Sequence, residues 1–184
     1  MNIRLSSGKF FIVFLFFLEI GGTYAWTYQG EKETIGIIIE SVPAGKVVFC
    51  RFCGNVFQGG KVHPEGPSII ENVLRNHLFS RNRIPEACSE DTPKCIYVLV
   101  YRFQERIGGD YSVEKPASVG FHMHLLENMT VKKSFTFDEE QKPVLHNLLG
   151  IGKFLKRRGK WIDATSLSEE GIKKGLEELL ERPD

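Results

Sequence analysis

Residues 118–161 read SVGFHMHLLENMTVKKSFTFDEEQKPVLHNLLGIGKFLKRRGKW, and this stretch decides the fold. Phe121, Met123 and Leu125 alternate with His122, His124 and Leu126. A period of two puts the sets on opposite faces of a strand, one of them firmly apolar. After the polar break Glu127-Asn128-Met129-Thr130 the alternation resumes, with Val131, Phe135 and Phe137 on one side and Lys132, Ser134 and Thr136 on the other. Two such runs around a short break predict an antiparallel hairpin. Residues 138–141 supply a polar turn, and Pro143 suits a first helical turn, where its missing N–H costs nothing. Val144, Leu145, Leu148, Leu149, Ile151 and Leu155 then keep helical spacing. Gly150 and Gly152 each weaken that helix by about 1 kcal/mol relative to Ala. Lys153, Lys156, Arg157, Arg158 and Lys160 gather near its end, where the helix dipole favours cations.

Upstream of this stretch, CIYVLVYRF at 95–103 is the most strand-like run of the chain. Its near-continuous apolarity predicts a central strand covered on both faces. Ile69, Ile70, Val73, Leu74, His77 and Leu78 line one face of a helix over 67–79. The segment 80–94, with Pro85 and Pro93, reads as loop, and 104–117 reads as a polar connection that turns at Gly108-Gly109-Asp110. Four glycines at 54, 59, 60 and 66 mark another loop. It carries neither GxGxxG nor GxxxxGK[ST], so it is read as a flexible loop rather than a phosphate cradle. KVVFCRF at 46–52 is expected to be a core strand, and TIGIIIESV at 34–42 a possible earlier one. Downstream, Ser166 and Glu169 have capping-box spacing, and Ile172, Leu176, Leu179 and Leu180 form the stripe of a last helix. Gly171 and Gly175 adjoin that stripe and allow a close approach. Together these elements predict one α/β domain: a mixed sheet of about four to five strands packed against helices.

The runs GFHMHLL at 120–126, FTFDEEQ at 135–141 and PVLHNLLGIGKFLKRRGKW at 143–161 resemble those of a group of bacterial exported proteins, many of them lipoproteins of unassigned function. The domain of that group looks like the α/β domain shared by the TolB amino-terminal region, CsgG and the penicillin-binding-protein activator LpoB. The resemblance is specific over 120–161 and looser over the rest of 46–180. It implies non-enzymatic work in the cell envelope, binding or assembling a partner, and it brings no catalytic residues with it.

Export is also legible at the start of the chain. Arg4 and Lys9 precede the apolar run FFIVFLFFL at 10–18, and Thr23-Tyr24-Ala25 offers small residues at a peptidase site. This is the pattern of a signal peptide over 1–25, cleaved after Ala25. The apolar run is about half the 20 residues that span a bilayer, so no stable membrane insertion is expected after cleavage. The lipoprotein relatives carry a Cys just after the signal, whereas the first Cys here is Cys50, so the expected product is a soluble periplasmic or secreted protein. The expected organisation is a leader and possible first strand over 26–45, then the α/β domain over 46–184. The chain has 24 basic and 23 acidic residues, and three of these, Arg4, Lys9 and Glu19, belong to the leader. The mature part is therefore neutral, which argues against a nucleic-acid partner. An envelope protein or glycan fits better, docking on Lys153, Lys156, Arg157, Arg158, Lys160 and Trp161.

The chemistry-bearing residues are few. Cys50-Arg51-Phe52-Cys53-Gly54 can be half of a zinc knuckle, with Cys88 and Cys95 as the other half of a four-cysteine set. It can also be a redox dithiol, although a strand setting lacks the helix terminus that activates such thiols. Structural disulfides are the ordinary outcome for four cysteines in an exported chain, with Cys88–Cys95 and Cys50–Cys53 as the candidate pairs. Cys50 and Cys53 can pair only if the chain turns at 52–53, because three extended residues span about 10 Å. His122 and His124 share a strand face and form a possible metal pair, set against two histidines on a half-solvated face. No nucleophile has a recognisable partner, so no enzymatic activity and no obligatory cofactor are expected. The alternative is a zinc-stabilised or thiol-redox protein using Cys50 and Cys53.

Overall fold

The computed structural model describes residues 32–109, 113–141 and 161–181. The leader at 1–25, the helix after Pro143 and the cations of 153–160 lie outside these residues. Five strands form the main sheet: β1 (Thr34–Ser41), β4 (Ile84–Ala87), β5 (Lys94–Gln104), β8 (Ser118–Glu127) and β9 (Thr130–Glu140), in the order β4-β1-β5-β8-β9. Strand β1 runs parallel to both β4 and β5, whereas β5, β8 and β9 are antiparallel in succession. The sheet is therefore mixed, and the described residues build one α/β domain.

Two helices cover one face. Helix α1 (Gly66–Ser80) buries Ile70, Val73, Leu74 and Leu78. Helix α2 (Ala164–Leu176), extended by a π-helical turn at Glu177–Glu181, buries Leu167, Ile172, Leu176 and Leu179. Their stripes meet Ile96, Val98 and Val100 of β5 and Phe121, Met123 and Leu125 of β8 in one continuous core. Strand alternation sends Cys95, Tyr97, Leu99 and Tyr101 to the other face, into a second, smaller cluster. A bulge between Val100 and Arg102 then resets the parity of β5, returning Phe103 to the helix side opposite Val119 of β8. The approach of α2 to the sheet depends on its glycines. A Cβ at Gly171 would lie 2.7 Å from the Phe137 ring, and one at Gly175 would lie 2.7 Å from Met123 Sδ.

Several local expectations are corrected. The run 46–52 is not a core strand. Only β2 (Val47–Phe49) is extended there, and it pairs with β3 (Val56–Gln58) in a separate two-stranded ribbon. The loop expected at 54–66 thus contains a strand, and the loop at 80–94 contains β4. The polar connection at 104–117 holds a small hairpin, β6 (Ile107–Gly108) with β7 (Val113–Lys115). Helix α2 is capped not by Ser166 but by Asp163, whose carboxylate accepts from Ser166 N at 2.6 Å. A bulge between Leu125 and Leu126 moves Val131 off the Phe135 and Phe137 face and into the second cluster.

At one end of the sheet the Glu33 carboxylate accepts from Lys94 Nζ at 2.7 Å and Arg83 Nε at 2.9 Å. The Lys94 hydrogen bond is the main reason Glu33 is held below the ordinary carboxylate range, against the opposing effect of burial. A lowered folded value stabilises the fold above the unfolded pKa of about 4.3 and loses that contribution as pH falls through the folded value. All three side chains are partly exposed, so screening keeps the effect small. Glu33→Gln should therefore cost about 0.5 kcal/mol in denaturant titrations at pH 7 and nothing at pH 2.

Candidate metal centre

The second face of the sheet is where the site forms. His122 and His124 lie two apart on β8 and point away from the helices. The ribbon of β2 and β3 folds over them, so they are not half-solvated: His122 is 2% exposed and His124 0%. Phe57 of the ribbon lies 4.9 Å, centroid to centroid, from the His122 ring and stacks on Tyr101 at 5.1 Å. Tyr97 stacks on His124 at 6.0 Å.

Between β2 and β3 the chain makes a tight turn. Cys50 N donates to Asn55 O and Gly54 N donates to Cys50 O, each at 2.8 Å. Gly54 has φ +72°, a conformation that side-chain-bearing residues rarely adopt, and a glycine fits it without strain. This turn, absent from an extended strand, swings Cys50 and Cys53 to the same side. Arg51 anchors its tip, pairing with Glu40 at 3.0 Å and lying over the Phe52 and Tyr97 rings at 4.9 and 5.3 Å. The Tyr97 hydroxyl donates to the same Glu40 carboxylate at 2.7 Å.

The outcome is a four-residue cluster. Cys50 Sγ lies 3.3 Å from His124 Nε2, Cys53 Sγ lies 3.5 Å from His122 Nε2, and the two Nε2 atoms are 3.1 Å apart. All four donor atoms fall within 4.8 Å of one another. A tetrahedral zinc ion with bonds of about 2.05 Å to nitrogen and 2.3 Å to sulfur requires N···N near 3.3 Å and S···N near 3.6 Å. The three spacings given above lie within about 0.3 Å of these values, and the remaining pairs are no more than 4.8 Å apart.

The far nitrogens of both rings are also held. His122 Nδ1 and Thr136 Oγ1 are 2.7 Å apart, as are His124 Nδ1 and Ser134 Oγ. Each hydroxyl can accept from Nδ1–H, which leaves the Nε2 lone pair facing the cluster, the arrangement that metal-ligating histidines require. Burial, and then the neighbouring His124, push His122 down to about 4; burial also lowers His124. Both rings are thus neutral near pH 7, as ligation demands. Although Cys53 reaches solvent, its sulfur borders the cluster, and lost hydration pushes its thiol above the ordinary value. Replacing Ser134 or Thr136 by Ala should weaken metal binding about 10–100-fold, in competition titrations with a chelator, while leaving the stoichiometry unchanged.

Cys88 and Cys95 form a disulfide, with Cα atoms 5.9 Å apart. The all-cysteine zinc set is thereby excluded: its second half is spent in a covalent bond, and His122 and His124 take that place beside Cys50 and Cys53. Among the docking residues expected from sequence, only Trp161 is described. It is half-buried, and its carbonyl accepts from Arg106 at 2.8 Å. What sequence reasoning missed was the joining of two half-sites. A usable signal was present in Ser134 and Thr136, which repeat the two-residue spacing of the histidines on the adjoining strand.

No family model matches the chain, and no curated protein sequence matches it. Among solved structures, a PelC dodecamer from Paraburkholderia phytofirmans is similar at 12% identity and TM-score 0.48, covering 81% of this chain and 88% of that one. Protein XCC0632 from Xanthomonas campestris, of the DUF330 family, is similar at 11% identity and TM-score 0.39, covering 78% and 83%. A minor lipoprotein from Acinetobacter baumannii is similar at 8% identity and TM-score 0.33, covering 77% and 91%. Likenesses at this level assign no activity, and no described helix is long and apolar enough to cross a membrane.

Proposed function

We propose that this is an exported, non-enzymatic protein that binds one zinc ion through Cys50, Cys53, His122 and His124. The observation that carries this reading is the convergence of two thiols and two outward-held imidazoles within 4.8 Å. A soft S2N2 set of tetrahedral spacing suits zinc, and four protein ligands leave no open position for a substrate or an activated water. The ion is therefore structural: it adds a fastening between the ribbon of β2 and β3 and a sheet face that already holds it through the Arg51–Glu40 pair, the Gly60 N to Tyr101 O bond and the packing of Val48, Phe52 and Phe57. On this reading the chain serves the envelope-partner role drawn from its sequence, and the metal keeps one face of that scaffold in shape.

The test is direct. The mature chain, reduced at the free cysteines, should take up one equivalent of Zn2+. Co2+ in its place should give the intense visible absorption of a tetrahedral thiolate complex, displaced by zinc. Stoichiometry below one tenth, or an octahedral Co2+ spectrum, would refute the reading.

A further inference from the structure

We propose that Cys50 and Cys53 are also a disulfide-forming pair, and that this disulfide and the bound zinc ion exclude one another. The proposal rests on the zinc reading above and adds a second state of the same site. Its geometric basis is the turn at 50–54. The Gly54 N to Cys50 O bond closes the chain on itself, and the two sulfurs lie inside the same 4.8 Å cluster. Cysteines three residues apart reach bonding geometry when the chain turns in this way, but not when it is extended.

Access to the pair is asymmetric. Cys53 is exposed, whereas Cys50 is 2% exposed beneath the ribbon. Cys53 is thus the sulfur that an external disulfide can reach, and Cys50 the one that can resolve the product. Such oxidants belong to the surroundings of an exported chain, the destination read from residues 1–25.

The step balances with a small-molecule or protein disulfide, R–S–S–R, as oxidant. The Cys53 thiolate attacks one sulfur of the donor, forming a mixed disulfide and releasing one RS−. The Cys50 thiolate then attacks Cys53 Sγ, closing the Cys50–Cys53 bond and releasing the second RS−. The protein pair gives up two electrons and two protons; the donor is reduced to two thiols. The product no longer offers thiolates, the form that ligates a metal.

The histidines are not stranded by this change. Their Nε2 atoms, 3.1 Å apart, can share a hydrogen bond, one ring donating and the other accepting. The oxidised face therefore keeps its buried polar atoms satisfied. Conversely, a bound zinc ion occupies both sulfurs and blocks the attack by Cys53. Occupancy of the site is then decided by whether metal or oxidant arrives first.

Oxidised glutathione serves as the probe on the full mature chain, with free thiols counted and the cysteine peptides mapped by mass. Metal-free protein should fall from two free thiols to none, with Cys50 joined to Cys53, and should then take up no Zn2+. Protein loaded with Zn2+ first should keep both thiols at least tenfold longer. His122→Ala should still form the disulfide, but Zn2+ should no longer protect it. Retention of both thiols in the metal-free chain would overturn the proposal. So would mapping to pairs with Cys88 or Cys95, or Zn2+ uptake by the oxidised form. Failure of the reduced wild type to bind Zn2+ would instead remove the zinc reading itself, and is seen separately in the metal titration.

Discussion

Zinc should raise the melting temperature of the wild-type chain by about 5–10 °C and leave that of a His124→Ala variant unmoved. A ligand held at a hundred times its dissociation constant adds about 2.7 kcal/mol to the folded state, provided that it does not bind the unfolded chain. For a chain of this length each kcal/mol corresponds to about 2–4 °C. His124 is the strongest test because it is fully buried, its Nδ1 is held by Ser134, and its Nε2 faces both Cys50 and His122. Its removal also opens a cavity, so the absolute melting temperature of the variant will drop. The informative quantity is the shift that zinc induces, and Cys53→Ser provides a second arm. Cys53 is exposed, so the metal-free variant should melt close to wild type. Equal zinc-induced shifts in all three proteins would show that zinc binds elsewhere.

Phe121→Ala should cost about 3–5 kcal/mol, among the largest effects expected from a single side chain on the helix-facing side. Phe121 is 0% exposed at the middle of β8, with its ring 5.3 Å from that of Phe137. It lies directly under α2, where a Cβ on Gly171 would sit 2.8 Å from Phe121 Cζ. The helix is already as close as its backbone allows, so it cannot settle further into the void. Phe49→Ala is the control: Phe49 is 67% exposed on the outside of the ribbon, and its loss should stay within about 0.5 kcal/mol. Zinc should still raise the melting temperature of Phe121→Ala, because His122 and His124 face the other way. Urea titrations read both numbers, and a cost below 1 kcal/mol for Phe121→Ala would contradict the packing described here.

The elements that came through from sequence are those whose signal is local and long. Strand β5 was legible as a central strand because the nine-residue run 95–103 is almost continuously apolar. Strands β8 and β9 were legible from their alternation, and α1 from a stripe at helical spacing. The short β4 was hidden, since Ile84-Pro85-Glu86-Ala87 has no alternation and becomes a strand only by pairing with β1. The run 46–52 misled in the opposite sense. Its β-branched residues suit a strand, but the turn closed by Gly54 ends it at Phe49.

By itself the sequence determined the mixed α/β architecture, the face on which Phe121 and Met123 lie, and the shared side of His122 and His124. All of these follow from the 2.0 and 3.6 periodicities of a chain burying its apolar side chains. Only the tertiary structure decided that the histidines are covered, and by what. The contacts that make the site join residues 74 and 69 positions apart, Cys50 with His124 and Cys53 with His122. No periodicity reports which loop folds across which face. That choice belongs to the turn at 50–54, to the Arg51–Glu40 pair and to the aromatic side chains of the ribbon, which bring two half-sites to one point.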